Sequence, residues 1–221
     1  MSSAPEQRSY VPALRFRALT GLYDPVVRAT TREHTFKRQL VEQLDPAPGE
    51  RVLDLACGTG TLALMIAERY PQAGVTGVDG DPDVLRRARD KAERAGAPID
   101  FDEGFSTELP YKDQSFDRVA STLFFHHLTT EDKARTLAEV RRVLRPGGEL
   151  HVADWTKPSD PLMAALFWPV RLLDGLDVTR ANADGSLPRM FEHAGLGPAT
   201  EHDRLRTGFG SLALWSARVP R

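Results

Sequence analysis

The stretch RVLDLACGTGTLAL, residues 51–64, decides the fold of this chain. Its first half is an apolar run that predicts a buried strand, and its second half predicts a helix. Gly58, Gly60 and Ala63 fit the pattern G-x-G-x-x-[GA] that joins such a strand to such a helix. A glycine turn of this kind lets a ligand approach backbone N–H groups, because no side chain stands in the way. The stretch therefore predicts a nucleotide-type ligand at the end of a strand.

The same alternation of strand and helix continues along the chain. Further strands are predicted at 74–79, 99–104, 115–122 and 145–155, and helices at 82–95 and 129–144. Alternating units of this length indicate a parallel sheet with helices on both faces.

The C-terminal part departs from that alternation. A helix is predicted at 187–196, followed by strand-like runs at 199–206 and 210–218. The gap between these two runs is too short for a parallel crossover, so an antiparallel hairpin is predicted. The expected fold is α/β and doubly wound, with a seven-stranded, mostly parallel sheet that ends in a C-terminal antiparallel hairpin.

The expected domain organisation is one main domain with two additions. Residues 1–48 are expected to form an N-terminal tail and a lid helix, with helical spacing of apolar residues over 26–44. Residues 49–221 are expected to form the main domain. Within it, residues 156–186 interrupt the alternation with large apolar residues and prolines, so they are interpreted as an insertion.

Composition excludes several classes of function. The chain has 221 residues, a net charge of −2 and one cysteine, Cys57. We therefore expect no nucleic-acid partner, no stable membrane insertion, no disulfide framework and no metal site. A cytoplasmic location is the expectation, and a homodimer is left open.

Two carboxylates distinguish the ligands that such a loop could hold. Asp79 ends the second predicted strand, where an acid accepts hydrogen bonds from both hydroxyls of a ribose. Asp54 lies just before the glycines, and there it would repel a pyrophosphate by a few kcal/mol at about 4 Å. S-adenosylmethionine (SAM) has no phosphate, and its ammonium and sulfonium groups are cationic. Asp54 therefore favours SAM over a nicotinamide dinucleotide.

Four motifs in order identify a resemblance. They are VLDLACGTG (52–60), GVDGDPDVLRRAR (77–89), TELPYKDQSFDRV (107–119) and HHLTTEDKARTLAEVRRVLRPGGEL (126–150). The chain resembles the class I SAM-dependent methyltransferases, a Rossmann-like fold, and specifically the small-molecule group related to the ubiquinone/menaquinone C-methyltransferases. The resemblance is good over roughly residues 20–155 and looser elsewhere. It implies SAM as the cofactor and a small-molecule acceptor as the partner.

The resemblance also implies a set of cofactor-binding residues. These are Tyr23, Asp54, Ala56, Cys57, Gly58, Gly60, Asp79, Gly80, Phe105, Ser106 and Leu123. Ala56 stands where many members have a first glycine. Cys57 is interpreted as a packing residue in the loop rather than a nucleophile.

The adenine subsite departs from the family pattern. Members commonly have G-D-A where this chain has Gly104-Phe105-Ser106, and a large apolar residue where it has Gly80. We hypothesise that Phe105 fills the space left by Gly80 and packs on the adenine face. Two alternatives stay open at this stage: Phe105 points into the core and backbone groups hold the adenine, or the chain binds SAM weakly.

His126, His127 and Asp154 are the candidate catalytic residues. The histidines follow the fourth predicted strand and Asp154 ends the fifth, at the edge where open α/β sheets bind ligands. A base is needed only if the acceptor must lose a proton, and histidine titrates near neutral pH. His127 is the better candidate of the two histidines. The alternative for all three residues is structural hydrogen bonding, and His151 is expected at the solvated surface.

The insertion 156–186 lies where the family builds its acceptor pocket. Trp155, Phe167 and Trp168 are the candidate substrate-binding residues. The alternative for this segment is an ordinary amphipathic lid helix, broken at Pro169.

Three functions are weighed. The preferred one is methyl transfer from SAM to a small, apolar or aromatic acceptor, with a phenolic or quinonoid ring foremost. The second is a non-catalytic or regulatory SAM-binding protein, which the Phe105 departure supports. The third is a nicotinamide-dependent oxidoreductase, against which Asp54 argues.

Overall fold

A computed structural model describes residues 32–221 of the chain. In that range the strands are Arg51–Leu55 (β1), Gly74–Asp79 (β2), Ile99–Glu103 (β3), Phe116–Thr122 (β4), Leu144–Trp155 (β5), Thr200–Thr207 (β6) and Gly210–Arg218 (β7). The helices are Glu33–Leu44 (α1), Thr61–Arg69 (α2), Pro82–Ala95 (α3), Thr130–Val143 (α4), Pro161–Asp174 (α5), Arg180–Asp184 (α6) and Leu187–His193 (α7), with a 3-10 helix at Phe125–His127. Tyr23 and the start of the helix predicted over 26–44 lie outside the described residues.

The strands form one sheet in the order β3-β2-β1-β4-β5-β7-β6. β1 to β5 pair in parallel, and β7 pairs antiparallel with both β5 and β6. The predicted seven-stranded, mostly parallel sheet with a C-terminal antiparallel hairpin is confirmed. Because the winding direction reverses between β1 and β4, their carboxyl ends form the crevice in which open α/β sheets bind ligands.

Local sequence sets the turn that carries Asp79. The Asp81 side chain accepts a hydrogen bond of 2.8 Å from the backbone N–H of Asp83, which caps α3. Pro82 occupies the first helical position, where its missing N–H costs nothing. Gly96 ends the helix with φ 63°, a left-handed conformation that glycine adopts readily. These caps fix the end of β2 and the start of α3 on either side of Gly80.

The core lies on both faces of the sheet. Val52 and Leu53 are neighbours in β1, point to opposite faces, and are both fully buried. Strands buried on both faces read as continuous apolar runs, which explains the sequence of β1.

His151 is a correction to the sequence analysis, which places it at the surface. It is buried, with Nδ1 3.0 Å from Gln43 Nε2 and Nε2 3.2 Å from Glu149 Oε2. The reason is that β5 is an inner strand of the sheet and α1 packs over it at Gln43. Burial lowers the pKa of His151, whereas its hydrogen bond lowers the pKa of Glu149 to about 2.

Helix α1 is part of this core. Its side chains at Phe36, Leu40, Val41 and Leu44 are buried in the same cluster as residues of β1 and α2. Among residues 32–221, no helix has both the length and the apolar character needed to cross a membrane.

Candidate functional site

The glycine-rich loop after β1 combines tight packing with an open side. Ala56, Gly58 and Gly60 have φ values of 57°, 53° and 70°. A Cβ atom at Gly60 would stand 2.9 Å from Phe101 Cζ and 3.0 Å from Ala88 Cβ, so the loop packs onto α3 and β3 only with glycine there. A Cβ atom at Gly58 would meet no atom within 4 Å, so this side of the loop is open to a ligand.

Ala56 takes a conformation that suits glycine. A left-handed backbone costs an L-residue about 1–2 kcal/mol, because the Cβ atom approaches the following carbonyl oxygen. This gives a physical reason for the glycine that the resemblance implies at the position of Ala56.

Asp79 is bonded to the loop. Its Oδ2 accepts a hydrogen bond of 2.9 Å from the Gly58 N–H, and its Oδ1 accepts one of 3.0 Å from the Asp81 N–H. Burial raises the pKa of this carboxyl group. Each carboxylate oxygen keeps a second lone pair, so the group can also accept hydrogen bonds from two ligand hydroxyls.

Asp54 lies behind the loop, inside the protein. It is 1% exposed, and its Oδ2 accepts a hydrogen bond of 3.0 Å from the Ala63 N–H in the first turn of α2. Burial raises its pKa to about 7, against the opposing effect of the Lys37 charge. Asp54 therefore changes its charge near neutral pH.

Cys57 packs inside the loop. Its side chain is buried, and a Cβ atom at Gly77 would lie 2.9 Å from Cys57 Sγ. Burial raises the pKa of the thiol, with the nearby Asp54 and Asp79 charges acting in the same direction. A protonated thiol is a poor nucleophile.

Phe105 and Ser106 follow β3 at the same edge of the sheet and point in different directions. Phe105 is 48% exposed. The Ser106 hydroxyl lies 2.8 Å from the Thr136 hydroxyl and so ties this loop to α4. Of the two, Phe105 is the side chain that a ligand on the surface of the edge can reach.

We predict that Phe105→Ala weakens the binding of S-adenosylhomocysteine by about 2- to 10-fold. The loss corresponds to about 0.5–1.5 kcal/mol for ring stacking on the adenine. Calorimetric titration measures it, and Phe105→Tyr is the matched control because it keeps the ring. Equal affinities for the wild type and Phe105→Ala would rule out the stacking role.

A polar cluster lies at the carboxyl ends of β4 and β5. His126 Nδ1 is 2.7 Å from Asp154 Oδ1, and both residues are buried. Asp154 also accepts hydrogen bonds from the Trp155 N–H at 2.7 Å and the Phe124 N–H at 3.2 Å. The carboxylate therefore fixes the orientation of the His126 ring and of the chain that follows β4.

Asp174 completes this cluster from the last residue of α5. His126 Nε2 is 3.6 Å from Asp174 Oδ2, and His127 Nδ1 is 3.6 Å from Asp174 Oδ1. His127 and Asp174 keep 29% and 18% of their side-chain surfaces exposed. Burial lowers the pKa of His127 and raises that of Asp174.

Lys133 joins the two segments that carry the cluster. Its Nζ donates hydrogen bonds to Leu128 O at 2.5 Å and to Val178 O at 2.6 Å. Leu128 follows the histidine pair, and Val178 follows α5. Burial lowers the pKa of Lys133 to about 8.

The three aromatic residues predicted to bind the substrate lie on two different sides of α5. Trp155 and Phe167 are buried, with ring centroids 5.8 Å apart. Trp168 is 49% exposed, and the Arg171 guanidinium lies over its ring at 5.3 Å. The structure brings Phe167 to the sheet edge beside Trp155, and it places Trp168 on the outer face of α5.

Leu123 follows β4 directly and lies between the two halves of this edge. It has φ 50°, and its N–H donates a hydrogen bond of 2.9 Å to Ala153 O. Leu123 thus joins the ends of β4 and β5 next to β1.

Sequence reasoning missed Asp174 and Lys133. For Asp174, the sequence did contain an indication: the helical spacing of Met163, Phe167 and Val170, which form the buried face of α5. Asp174 continues that spacing by one turn, so a carboxylate on the inner face was foreseeable. No sequence pattern predicted the burial of Lys133, because a lysine at this position of α4 is expected to be exposed to solvent.

Comparisons with known proteins identify the family of this chain. A family profile described as a methyltransferase domain matches residues 52–148. The demethylmenaquinone methyltransferase of Thermus thermophilus is 44% identical over 124 residues, covering 56% of this chain and 55% of that protein. The ubiquinone/menaquinone biosynthesis C-methyltransferase UbiE of Bordetella avium is 32% identical over 187 residues, covering 83% of this chain and 72% of that protein.

The structural comparison supports the fold. The crystal structure of the YcgJ protein of Bacillus subtilis superposes with a TM-score of 0.69 at 18% identity, covering 85% of this chain and 99% of that one. The chain spans about half the length of the two demethylmenaquinone methyltransferases that it matches.

Proposed function

This chain belongs to the class I SAM-dependent methyltransferases, in the group related to the ubiquinone/menaquinone C-methyltransferases, and we propose that it methylates a small aromatic acceptor of phenolic or quinonoid type. The cofactor of this family is SAM, as the sequence analysis expects. The nicotinamide alternative is thereby set aside.

The cofactor would lie along the ends of β1, β2 and β3. Asp79 would accept hydrogen bonds from the ribose hydroxyls, and Phe105 would face the adenine. Because Gly58 has no side chain, the ligand could approach the backbone of the loop there. The cationic methionine end would then lie toward Asp54 and the end of β4. This arrangement directs the methyl group toward the half of the edge that carries the polar cluster.

One observation carries the choice of acceptor: a polar cluster and an aromatic wall meet at the same sheet edge. His126 lies 6.2 Å from Trp155, ring centroid to ring centroid, and Trp155 in turn packs on Phe167. An aromatic ring that bears a hydroxyl or carbonyl group matches both features, because its body is apolar and its rim hydrogen-bonds. His127 and Asp174 are the partly exposed members of the cluster and would meet the polar rim.

The chemistry is a single displacement. An electron pair of the acceptor oxygen or carbon forms the new bond to the methyl carbon, and the carbon–sulfur pair leaves with sulfur, which becomes a neutral thioether. The acceptor's proton must go to a base, and His127 is the group placed to hold it. The protein contributes alignment of the three atoms and exclusion of water.

Radiolabelled methyl transfer from SAM to a panel of phenols and hydroquinones tests this proposal. Transfer to at least one ring acceptor, with no transfer to aliphatic amines, is the expected result. Binding of S-adenosylhomocysteine without transfer to any acceptor would instead favour the non-catalytic SAM-binding alternative.

A pair of variants tests where the acceptor lies. Trp155→Leu removes the inner aromatic wall, so we predict that it raises the KM for the acceptor about tenfold, for a lost ring contact of about 1.5 kcal/mol. Trp168→Leu on the outer face of α5 is the matched control and should leave KM unchanged. An equal effect of both variants would contradict this placement.

A further inference from the structure

We propose that His126, His127 and Asp174 form a binding site for one divalent transition-metal ion of the Zn²⁺ or Co²⁺ class. The sequence predicts no metal site, because the chain has one cysteine and therefore no C-x-x-C cluster. The site is assembled from two segments that are distant in sequence: the 3-10 helix after β4 and the end of α5.

The distances between the three ligand groups suit such an ion. The ligand atoms of His126, His127 and Asp174 all lie within 4.8 Å of one another, and the two measured histidine–carboxylate pairs are 3.6 Å apart. A tetrahedral ion with bonds of about 2.0–2.2 Å sets its ligand atoms about 3.3–3.5 Å apart. Small side-chain rotations therefore bring the three groups into coordination.

Asp154 supplies the support that a metal-binding histidine requires. Its hydrogen bond of 2.7 Å with His126 Nδ1 places the proton on that nitrogen, which leaves the Nε2 lone pair facing Asp174. The Trp155 and Phe124 N–H groups hold both oxygens of Asp154 in turn. A carboxylate that orients one ring nitrogen while the other binds an ion is the usual arrangement around metal-bound histidine.

The charge of the cluster points in the same direction. Asp154 and Asp174 put two buried or half-buried carboxylates beside two imidazoles, and the Lys133 ammonium is engaged by Leu128 O and Val178 O. Within residues 32–221, Asp174 accepts no hydrogen bond of ordinary length, because both of its histidine neighbours stand at 3.6 Å. The Lys133 charge offsets part of this negative charge. A divalent ion would offset the rest and occupy the space between His126, His127 and Asp174.

The chemistry of the ligands identifies the class of ion. Two imidazole nitrogens and one carboxylate oxygen suit Zn²⁺, Co²⁺ or Fe²⁺, whereas Mg²⁺ and Ca²⁺ favour oxygen ligands. Three protein ligands leave one coordination position open, on the side where His127 and Asp174 are exposed. If the proposed function holds, an acceptor hydroxyl can take that position and lose its proton more easily, and the ion then replaces His127 as the means of deprotonation, because a metal-bound His127 cannot act as the base.

Cobalt titration of the full chain, without an affinity tag and stripped with a chelator, tests the site. We expect the visible absorption bands of tetrahedral Co²⁺ to rise to one equivalent and to vanish when Zn²⁺ is added. Asp174→Asn and His127→Gln should each weaken Co²⁺ binding by at least about tenfold. His202→Gln changes an exposed histidine outside the cluster and should bind like the wild type.

The outcomes separate this inference from the proposed function. No saturable Co²⁺ spectrum in the folded wild type, or equal binding by Asp174→Asn and wild type, would overturn the metal site. The Co²⁺ titration uses no acceptor, so its result does not depend on the proposed function. If the protein binds Co²⁺ saturably but transfers no methyl group in the separate radiolabel assay, the metal site is supported and only the proposed function is contradicted.

Discussion

We expect Asp79→Ala to bind S-adenosylhomocysteine at least about 100-fold more weakly than the wild type. Each hydrogen bond from a ribose hydroxyl to a carboxylate is worth about 1.5–3 kcal/mol, and the variant loses two of them. The variant also leaves the Gly58 N–H without its 2.9 Å acceptor, which loosens the loop on which the cofactor would lie.

Calorimetric titration measures this loss, and Asp83→Ala is the matched control. Asp83 is an exposed carboxylate one turn along the same segment, where it pairs with Arg86. Its removal should leave the affinity within about twofold of the wild type, since surface ion pairs contribute little. If Asp79→Ala also binds like the wild type, the ribose lies elsewhere and the cofactor placement is wrong.

The burial of Asp54 should make the protein less stable as the pH rises. Its pKa is about 7 in the folded protein and 3.8 as a reference for the unfolded chain. A carboxyl group with a raised pKa favours folding only while it is protonated, so this contribution is complete below pH 3.8 and lost by about pH 7. The difference corresponds to about 4 kcal/mol of unfolding free energy.

Urea unfolding of the wild type and Asp54→Asn at several pH values measures this term. The amide keeps an oxygen that accepts the Ala63 N–H, but it does not ionise. We expect the wild type to lose about 3 kcal/mol relative to the variant between about pH 5 and pH 8. The comparison with the variant is needed because buried His151, whose pKa is lowered, contributes with the opposite sign. If the free energy of unfolding changes with pH by the same amount in both proteins, the prediction is contradicted.

Ligand binding should depend on the same ionisation. The ammonium group of S-adenosylhomocysteine favours ionised Asp54, so its affinity should rise about tenfold from about pH 6 to pH 8. 5′-Methylthioadenosine has the adenosine but no ammonium group, so it is the matched control ligand. Its affinity should be the same at both pH values. Equal pH dependence of the two ligands would place the ammonium away from Asp54.

The fold and the position of the glycine loop could be predicted because they depend on short-range patterns. Asp81 and Pro82 begin α3 and Gly96 ends it, each for reasons that involve only neighbouring residues. The order of strands and helices then leaves few ways to form a sheet. The burial of His151 could not be predicted, since it depends on Gln43 of α1, which is distant in sequence.

The acceptor half of the site shows more clearly what cannot be predicted from the sequence. Phe167 and Trp168 are neighbours of similar character, and only the packing of α5 on the sheet turns one ring inward and the other outward. His127 and Asp174 are brought together by the same packing.

The sequence by itself therefore determined the α/β order, the glycine loop and the two carboxylates that favour SAM, because each follows from a local pattern. The tertiary structure decided that Asp154, the histidine pair and Asp174 form one cluster beside Trp155. No local pattern contains that information, because these contacts arise where β4, β5 and α5 end at the same edge of the sheet.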